Sequence, residues 1–329
     1  MSLPSQLTNK LRLPIVAAPM FLASGPDLVS ACCKSGVVGT FPALNQRTSE
    51  GFEDWLISIK ANLEKYEKET GEPPAPFGVN LIAHHSNPRL EADLALCVKH
   101  EVPLIITSLG ANPKIVEAVH AYGGLVFHDV INARHAKKAA DAGVDGLIAV
   151  AAGAGGHAGA TSPFALINEI RQFFDKTLLL SGCISNGHDV AAAQMMGADL
   201  AYMGTRFIGT QECDVEENYK QQLLETNAAD IIYTPAISGV NASFIRQSIE
   251  AAGMDINKLE TPDHIDFGAE MEEASEAGKK NRPWKDIWSA GQGVGSVKDI
   301  PSVTELVERL DEEYQAGIAR FDGARGLLR

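Results

Sequence analysis

A single histidine, His157, sits inside the tract AAGAGGHAG (residues 151 to 159), directly after the apolar run GLIAV. Glycine loses more conformational freedom on folding than any other residue, so such a tract needs a reason. Either a ligand must come close to the backbone, or the chain must turn where only glycine can. An imidazole near pH 7 can take a proton from carbon or orient an anion. The remaining candidate chemistry gathers where apolar runs end. Ala18-Pro19-Met20-Phe21, Asn80, Thr107-Ser108, His128-Asp129, Ser181-Gly182-Cys183 and Met203-Gly204-Thr205-Arg206 all occupy such positions. The glycines and hydroxyls of SGCISNG and MGTRF suit a phosphate cradled by backbone N–H groups and a helix N-terminus.

Two other patterns are weaker. Gly153, Gly155 and Ala158 match G-x-G-x-x-[GA], with Asp175 about twenty residues on, as in a dinucleotide fingerprint. The context argues against it: that fingerprint follows a first strand, whereas this tract follows the sixth apolar run and Asp175 precedes a run. His84 and His85 lack a third spaced ligand, so no metal is expected. The cysteines (Cys32, Cys33, Cys97, Cys183 and Cys213) are scattered and form no C-x-x-C pair, which points to neither disulfides nor zinc.

These residues must be positioned by the elements around them. Eight apolar runs fall at 13–20, 37–44, 77–82, 103–110, 125–131, 146–152, 177–183 and 200–207. They are apolar throughout rather than alternating, as parallel strands covered on both faces should be. Between them stand helical stretches opened by asparagine caps at Asn87, Asn112, Asn132 and Asn186. The pattern predicts a (β/α)8 TIM barrel, with its chemistry at the C-terminal ends of the strands; a doubly wound sheet is the alternative. Residues 1–210 read as the barrel and 211–284 as a smaller, mainly helical lid inserted after the eighth strand, with no comparable strands. Residues 285–329 read as a segment returning to the barrel. GEPPAP (71–76) reads as an exposed connection, and AEMEEASEAGKKNRP (269–283) as a charged stretch of the lid.

With 329 residues and 45% hydrophobic content, the chain can bury a large core. Its formal charge of −14 argues against nucleic acid and anionic membrane surfaces. No apolar run reaches the length of a membrane span, and the N-terminal stretch has no signal-peptide core, so a cytoplasmic location is expected.

The motifs AGAGGHAG, SPFALINEIR, LSGCISNG and GADLAYMGTRF, in this order, resemble the nitronate monooxygenase family, formerly called 2-nitropropane dioxygenases. The resemblance runs from PIVAAPM to WSAGQGVG. It implies a TIM barrel that binds FMN under a smaller domain, with His157 as the active-site histidine. It places Pro19, Met20 and Phe21 by the flavin ring and Asn80 and Ile82 among the third-strand flavin contacts. Gly155 and Gly156 would approach the cofactor by backbone. Ser181, Gly182 and Cys183, with Gly204 and Thr205, would hold the phosphate, and Gln292 and Gly293 match a late A-G-Q-G element. His128 is a further candidate for the cavity wall. The sequence departs from the family pattern at Ala18-Pro19, at Asp129 (where lysine often follows the histidine) and at Ala154.

The implied reaction is FMN-dependent oxidation of alkyl nitronates, or nitroalkanes, by O2 to a carbonyl compound and nitrite. An NAD(P)H-dependent flavin reductase of quinones or enoyl thioesters is the alternative, and a non-redox phosphate-ligand barrel the third. The expected partners are a small-molecule substrate and O2, with a homodimer left open.

Overall fold

A computed structural model describes residues 3–261 and 282–325. Eight strands close into a parallel barrel: β1 (Ile15–Ala17), β2 (Val38–Pro42), β3 (Phe77–Ile82), β4 (Leu104–Ser108), β5 (Leu125–Val130), β6 (Gly146–Val150), β8 (Thr177–Ser181) and β9 (Leu200–Met203). The ring closes where Val16 of β1 pairs with Tyr202 of β9. All eight apolar runs thus become barrel strands, each within the span expected from the sequence. Most strands are buried on both faces, which is why no polar alternation was visible.

Side-chain parity separates two cores. Val16, Leu104, Ile106, Leu125, Phe127, Ile148, Leu179 and Leu200 belong to a cluster filling the barrel interior. Val79, Leu81, Ile105, Val126, Val130, Leu147 and Leu178 belong to the layer between strands and helices. Because side chains alternate along a strand, Asn80, Ser108, Asp129, Ser181 and Tyr202 point inward at the top of the barrel. They form its floor on the C-terminal side.

The helices that cover the strands are capped largely as expected. In α4 (Pro113–His120) and α5 (Ala133–Asp141), Asn112 and Asn132 accept from the N–H groups of Lys114 and His135. Asn186 closes a capping box with Asp189 at the start of α7 (Gly187–Met195). Asn87 is different: its helix begins later, at Leu90, and its side chain instead accepts from Arg89 N–H in a turn.

The insertion after β9, expected to be mainly helical with no strands comparable to those of the barrel, does contain short strands. It contains the short helix α9 (Glu217–Glu225) and two strands, β10 (Ile231–Thr234) and β11 (Ala242–Ile245). With β7 (Gly156–His157) they form a separate three-stranded sheet in the order β10-β11-β7. Four-residue strands are too short to show a period of their own, and the buried ASFI of β11 reads equally as helix. Most of the charged stretch 269–283 lies outside the described residues. The C-terminal helix (Val303–Arg325) packs back on α7, and its buried Val303, Leu306, Val307 and Leu310 join the core around β1 and β9. Among the described residues, no helix is long and apolar enough to cross a membrane.

Candidate active site

A cavity of about 600 Å³ opens over the C-terminal end of the barrel. The inward floor residues Asn80, Ser108, Asp129, Ser181 and Tyr202 line it from below. Pro19, Met20, Phe21 and Ile82 line one wall. Ser181, Gly182, Cys183, Gly204, Thr205 and Gly293 line another, and Gly155, Gly156, His157 and Trp284 a third. Of the residues that the family resemblance places at the cofactor, Gln292 alone does not line the cavity; of the other strand-end residues, Thr107, Met203 and Arg206 do not line it either. The Gln292 backbone N–H bonds Gly153 O at 2.8 Å, so Gln292 packs behind the wall.

His157 is held from three sides. Its strand pairs with β11, Ala242 opposite His157 and Ser243 opposite Gly156. Trp284 meets the imidazole edge-on with ring centres 5.2 Å apart. Ser238 Oγ lies 3.4 Å from its Nε2 and donates to Val240 O at 3.1 Å. Burial lowers its pKa to about 4, so the ring is neutral at pH 7.

The glycine tract has two separate explanations. At Gly155 a Cβ would fall 2.8 Å from Gly291 N and 3.1 Å from Ala290 C, so the tract packs backbone to backbone on the A-G-Q-G segment. At Gly156 the constraint is conformational: φ is +66° and nothing lies within 4 Å of a Cβ. The sequence suggested that both glycines approach a ligand; at Gly155 the close neighbour is the chain itself.

Ser289 was not singled out in the sequence, although it sits inside WSAGQGVG. Its Oγ accepts from Gly156 N at 2.8 Å and donates to Ser243 O at 2.7 Å, tying β7 to β11. Tyr219 hydroxyl bonds the Ser289 carbonyl and stacks its ring on Trp288. Sequence spacing gave no hint of this, because the partners come from three distant segments.

Two turns shape the opposite wall. After β8, Gly182 (φ 130°) and Cys183 (φ 57°) take left-handed backbone. After β9, Gly204 precedes the single turn Thr205–Ile208. The Gly293 segment interlocks with the first turn: Ser185 Oγ donates to Gly293 O at 2.9 Å, and a Cβ on Gly293 would fall 2.3 Å from Ser185 Oγ. Thr205 Oγ1 accepts from Gly291 N at 2.9 Å.

His128 has the outward parity of Val126 and Val130. Its Nδ1 lies 2.7 Å from Thr107 Oγ1, and burial, then His135 and Lys138, lower its pKa to about 4. It contributes to the cavity wall from the outer layer, while its neighbour Asp129 takes the inward position. Asp129 accepts from Ser108 Oγ through Oδ2, and its Oδ1 is buried with no hydrogen-bond partner.

The closed barrel, the cavity at the strand ends and the small sheet presenting one histidine define an α/β-barrel of the kind that carries its chemistry on the C-terminal face. The sequence model of the nitronate monooxygenase family matches residues 44–313, and the chain belongs to that family. A nitronate monooxygenase of Paraburkholderia phytofirmans is 26% identical, over 94% of each chain. A (3aS,4S,5R,7aS)-5-hydroxy-7a-methyl-1-oxo-octahydro-1H-indene-4-carboxyl-CoA dehydrogenase of Rhodococcus jostii is 24% identical, over 96% of this chain and 95% of the relative. Among solved structures, nitroalkane oxidase from Streptomyces ansochromogenes superposes with a TM-score of 0.79 at 22% identity, covering 96% of this chain and 100% of that one. FabK from Thermotoga maritima superposes with a TM-score of 0.78 at 23% identity, covering 98% and 100%. The family and the barrel together support a redox-active enzyme.

Proposed function

We propose that the chain is an FMN-dependent oxidase of alkyl nitronates that uses O2 and yields a carbonyl compound and nitrite. The observation that carries this reading is His157: a half-buried, neutral imidazole fixed over a cavity at the strand ends of a barrel of this family. The residues present suit FMN. The left-handed turn at Gly182-Cys183 and the Gly204-Thr205 turn would hold its phosphate, using N–H groups that a first helical turn leaves free. Pro19, Met20, Phe21 and Ile82 would flank the ring, over a polar floor where Asp129 Oδ1 lacks a partner. FMN, when bound, supplies the two-electron chemistry and the reaction with O2.

The protein's share is orientation and proton handling. The Ser238 hydroxyl has one proton and two acceptors in reach, Val240 O and His157 Nε2. Donation to Val240 leaves Nε2 to carry the ring proton and makes it a hydrogen-bond donor. Donation to Nε2 makes that nitrogen an acceptor. With a neutral nitroalkane, the uncharged imidazole takes the proton from the carbon beside the nitro group. With a nitronate, already deprotonated, it orients the anion. Trp284, Phe21 and Val240 wall the site with apolar surface and limit water. In this reading residues 1–210 carry the cofactor, 211–284 cover the substrate, and 285–329 return to brace the glycine tract.

The alternative is NAD(P)H-dependent reduction of a quinone or an enoyl thioester. His135 and Lys138 line the same cavity, and a cofactor or thioester carrying phosphate would meet them. Anaerobic addition of nitronate and of NAD(P)H, followed by absorbance, separates the two. Bleaching of bound flavin by nitronate and not by NAD(P)H supports the oxidase; the opposite pattern supports the reductase. A colourless protein that binds no flavin removes both.

A further inference from the structure

The inward polar groups of the floor form a chain whose protons can be placed. Asn80 Nδ2 donates to Ile106 O at 3.2 Å and to Ser108 Oγ at 2.8 Å. A carbonyl oxygen can only accept, which fixes the orientation of the amide. Ser108 Oγ therefore accepts from Asn80 and gives its single proton to Asp129 Oδ2, at 2.5 Å. While Ser108 donates in this way, Oδ2 is an acceptor and a proton bound by Asp129 sits on Oδ1. That oxygen is buried and has no partner among the described residues. A bare, buried carboxylate oxygen is strongly unfavourable, and the same oxygen carrying a proton costs much less.

Among the described residues, no cationic group forms an ion pair with Asp129. β4 contributes Ser108, and β6 contributes the apolar Ile148, its register partner, and Val150. From β9 comes Tyr202, whose own ionisation is pushed up by burial and then by Asp129. His157 enters the cavity from the lid as a neutral ring, and the adjoining His128 points to the outer layer. His135 and Lys138 of α5 line the cavity wall but form no ion pair with Asp129. Burial already raises the Asp129 pKa to about 6, against the Ser108 bond that lowers it. A flat ligand that expels water from the floor extends the same desolvation.

We propose that Asp129 takes up a proton from bulk water onto Oδ1 when a flat aromatic ligand such as FMN fills the cavity, and meets that ligand as a neutral acid. This rests on the flavin reading. The floor then carries no fixed negative charge beneath a ring that gains electrons. Where a lysine at this position would offer a full positive charge, this chain offers a neutral acid that ionises only when the cavity empties.

The test is the infrared spectrum of the full chain at pH 7, loaded with FMN and stripped of it. The expected result is a protonated-carboxyl band in the loaded protein that weakens strongly on stripping and is missing from loaded D129N. S108A removes the donor that favours the carboxylate, so its stripped form should keep more of the band. That variant retains the carboxyl group and serves if D129N does not fold. Asp129 ionised in both forms, or protonated in both, overturns the proposal while leaving FMN binding intact. An unchanged band in stripped S108A overturns the proton placement. Failure of the chain to bind FMN at all overturns the flavin reading and the proposal with it.

Discussion

On the barrel side of the cavity, Ser181, Gly182, Gly204 and Thr205 stand at the ends of β8 and β9, locked into a closed parallel ladder. On the lid side, His157 stands on a two-residue strand whose support is β11, Trp284 and the bonds through Ser289. The first wall shares the cooperativity of the whole barrel. The second depends on a small antiparallel sheet to which β7 contributes only two residues, so it can open locally without the barrel. Changes on the barrel side should therefore cost cofactor, and changes on the lid side should cost turnover with cofactor retained.

The largest effect is expected on the lid side. His157→Ala should keep FMN and the fold but lose about 10²–10⁴-fold in turnover of neutral nitroalkane, the usual worth of a positioned base. Turnover of nitronate should fall much less, because that substrate has already lost its proton. Steady-state kinetics with both substrates decide the point: an equal large loss would make His157 an anion anchor rather than a base.

On the barrel side, Gly204→Asp should weaken FMN by about 2–5 kcal/mol, by analogy with an unpaired buried charge. A Cβ at Gly204 would meet Met20 Sδ at 3.5 Å and Ala18 Cβ at 3.7 Å, both ordinary contacts. Gly204→Ala should therefore keep its cofactor, and the difference isolates charge from bulk. Flavin content after gel filtration measures both; a flavin-replete Gly204→Asp variant would move the phosphate elsewhere.

Ser289→Ala should cost about 1–3 kcal/mol by leaving the Gly156 donor without its partner. Thermal unfolding gives the loss, and retained flavin with a raised KM would locate it in the lid. An unaltered melting temperature and KM would show that β7 is held without Ser289.

At neutral pH the smallest change comes from titration. The folded pKa of His157 is lowered from 6.5 to about 4, so its contribution to stability is present above pH 6.5 and lost as pH falls through about 4. Asp129 acts in the opposite sense: raised from 3.8 to about 6, its contribution is present below pH 3.8 and lost as pH rises through about 6. The acid limb of kcat/KM for nitroalkane should then lie near pH 4 rather than 6.5. A limb at 6.5 would mean that the imidazole is well hydrated in the working enzyme.

The same contrast explains what could be read from the sequence. Parallel strands buried on both faces leave long apolar runs, and capped helices leave asparagines, so the barrel and its strand ends were legible. Gly182, Gly204 and Thr205 follow from that register alone. The lid was read only in part, since β10 and β11 are four residues each and pair with a strand of two. Ser289 reaches Gly156, and Ser238 and Trp284 reach His157, from far along the chain, and no local spacing encodes that meeting. Asp129 stood out as a departure from the family pattern, but its inward position and unpartnered oxygen required the parity of β5.

Denaturing the purified protein and identifying the released cofactor by chromatography shows whether the barrel-side wall is a mononucleotide site beneath the lid histidine. The expected result is a yellow protein that releases FMN in a one-to-one ratio with chain. FAD as the stoichiometric product, or a colourless protein that releases no flavin, would contradict it.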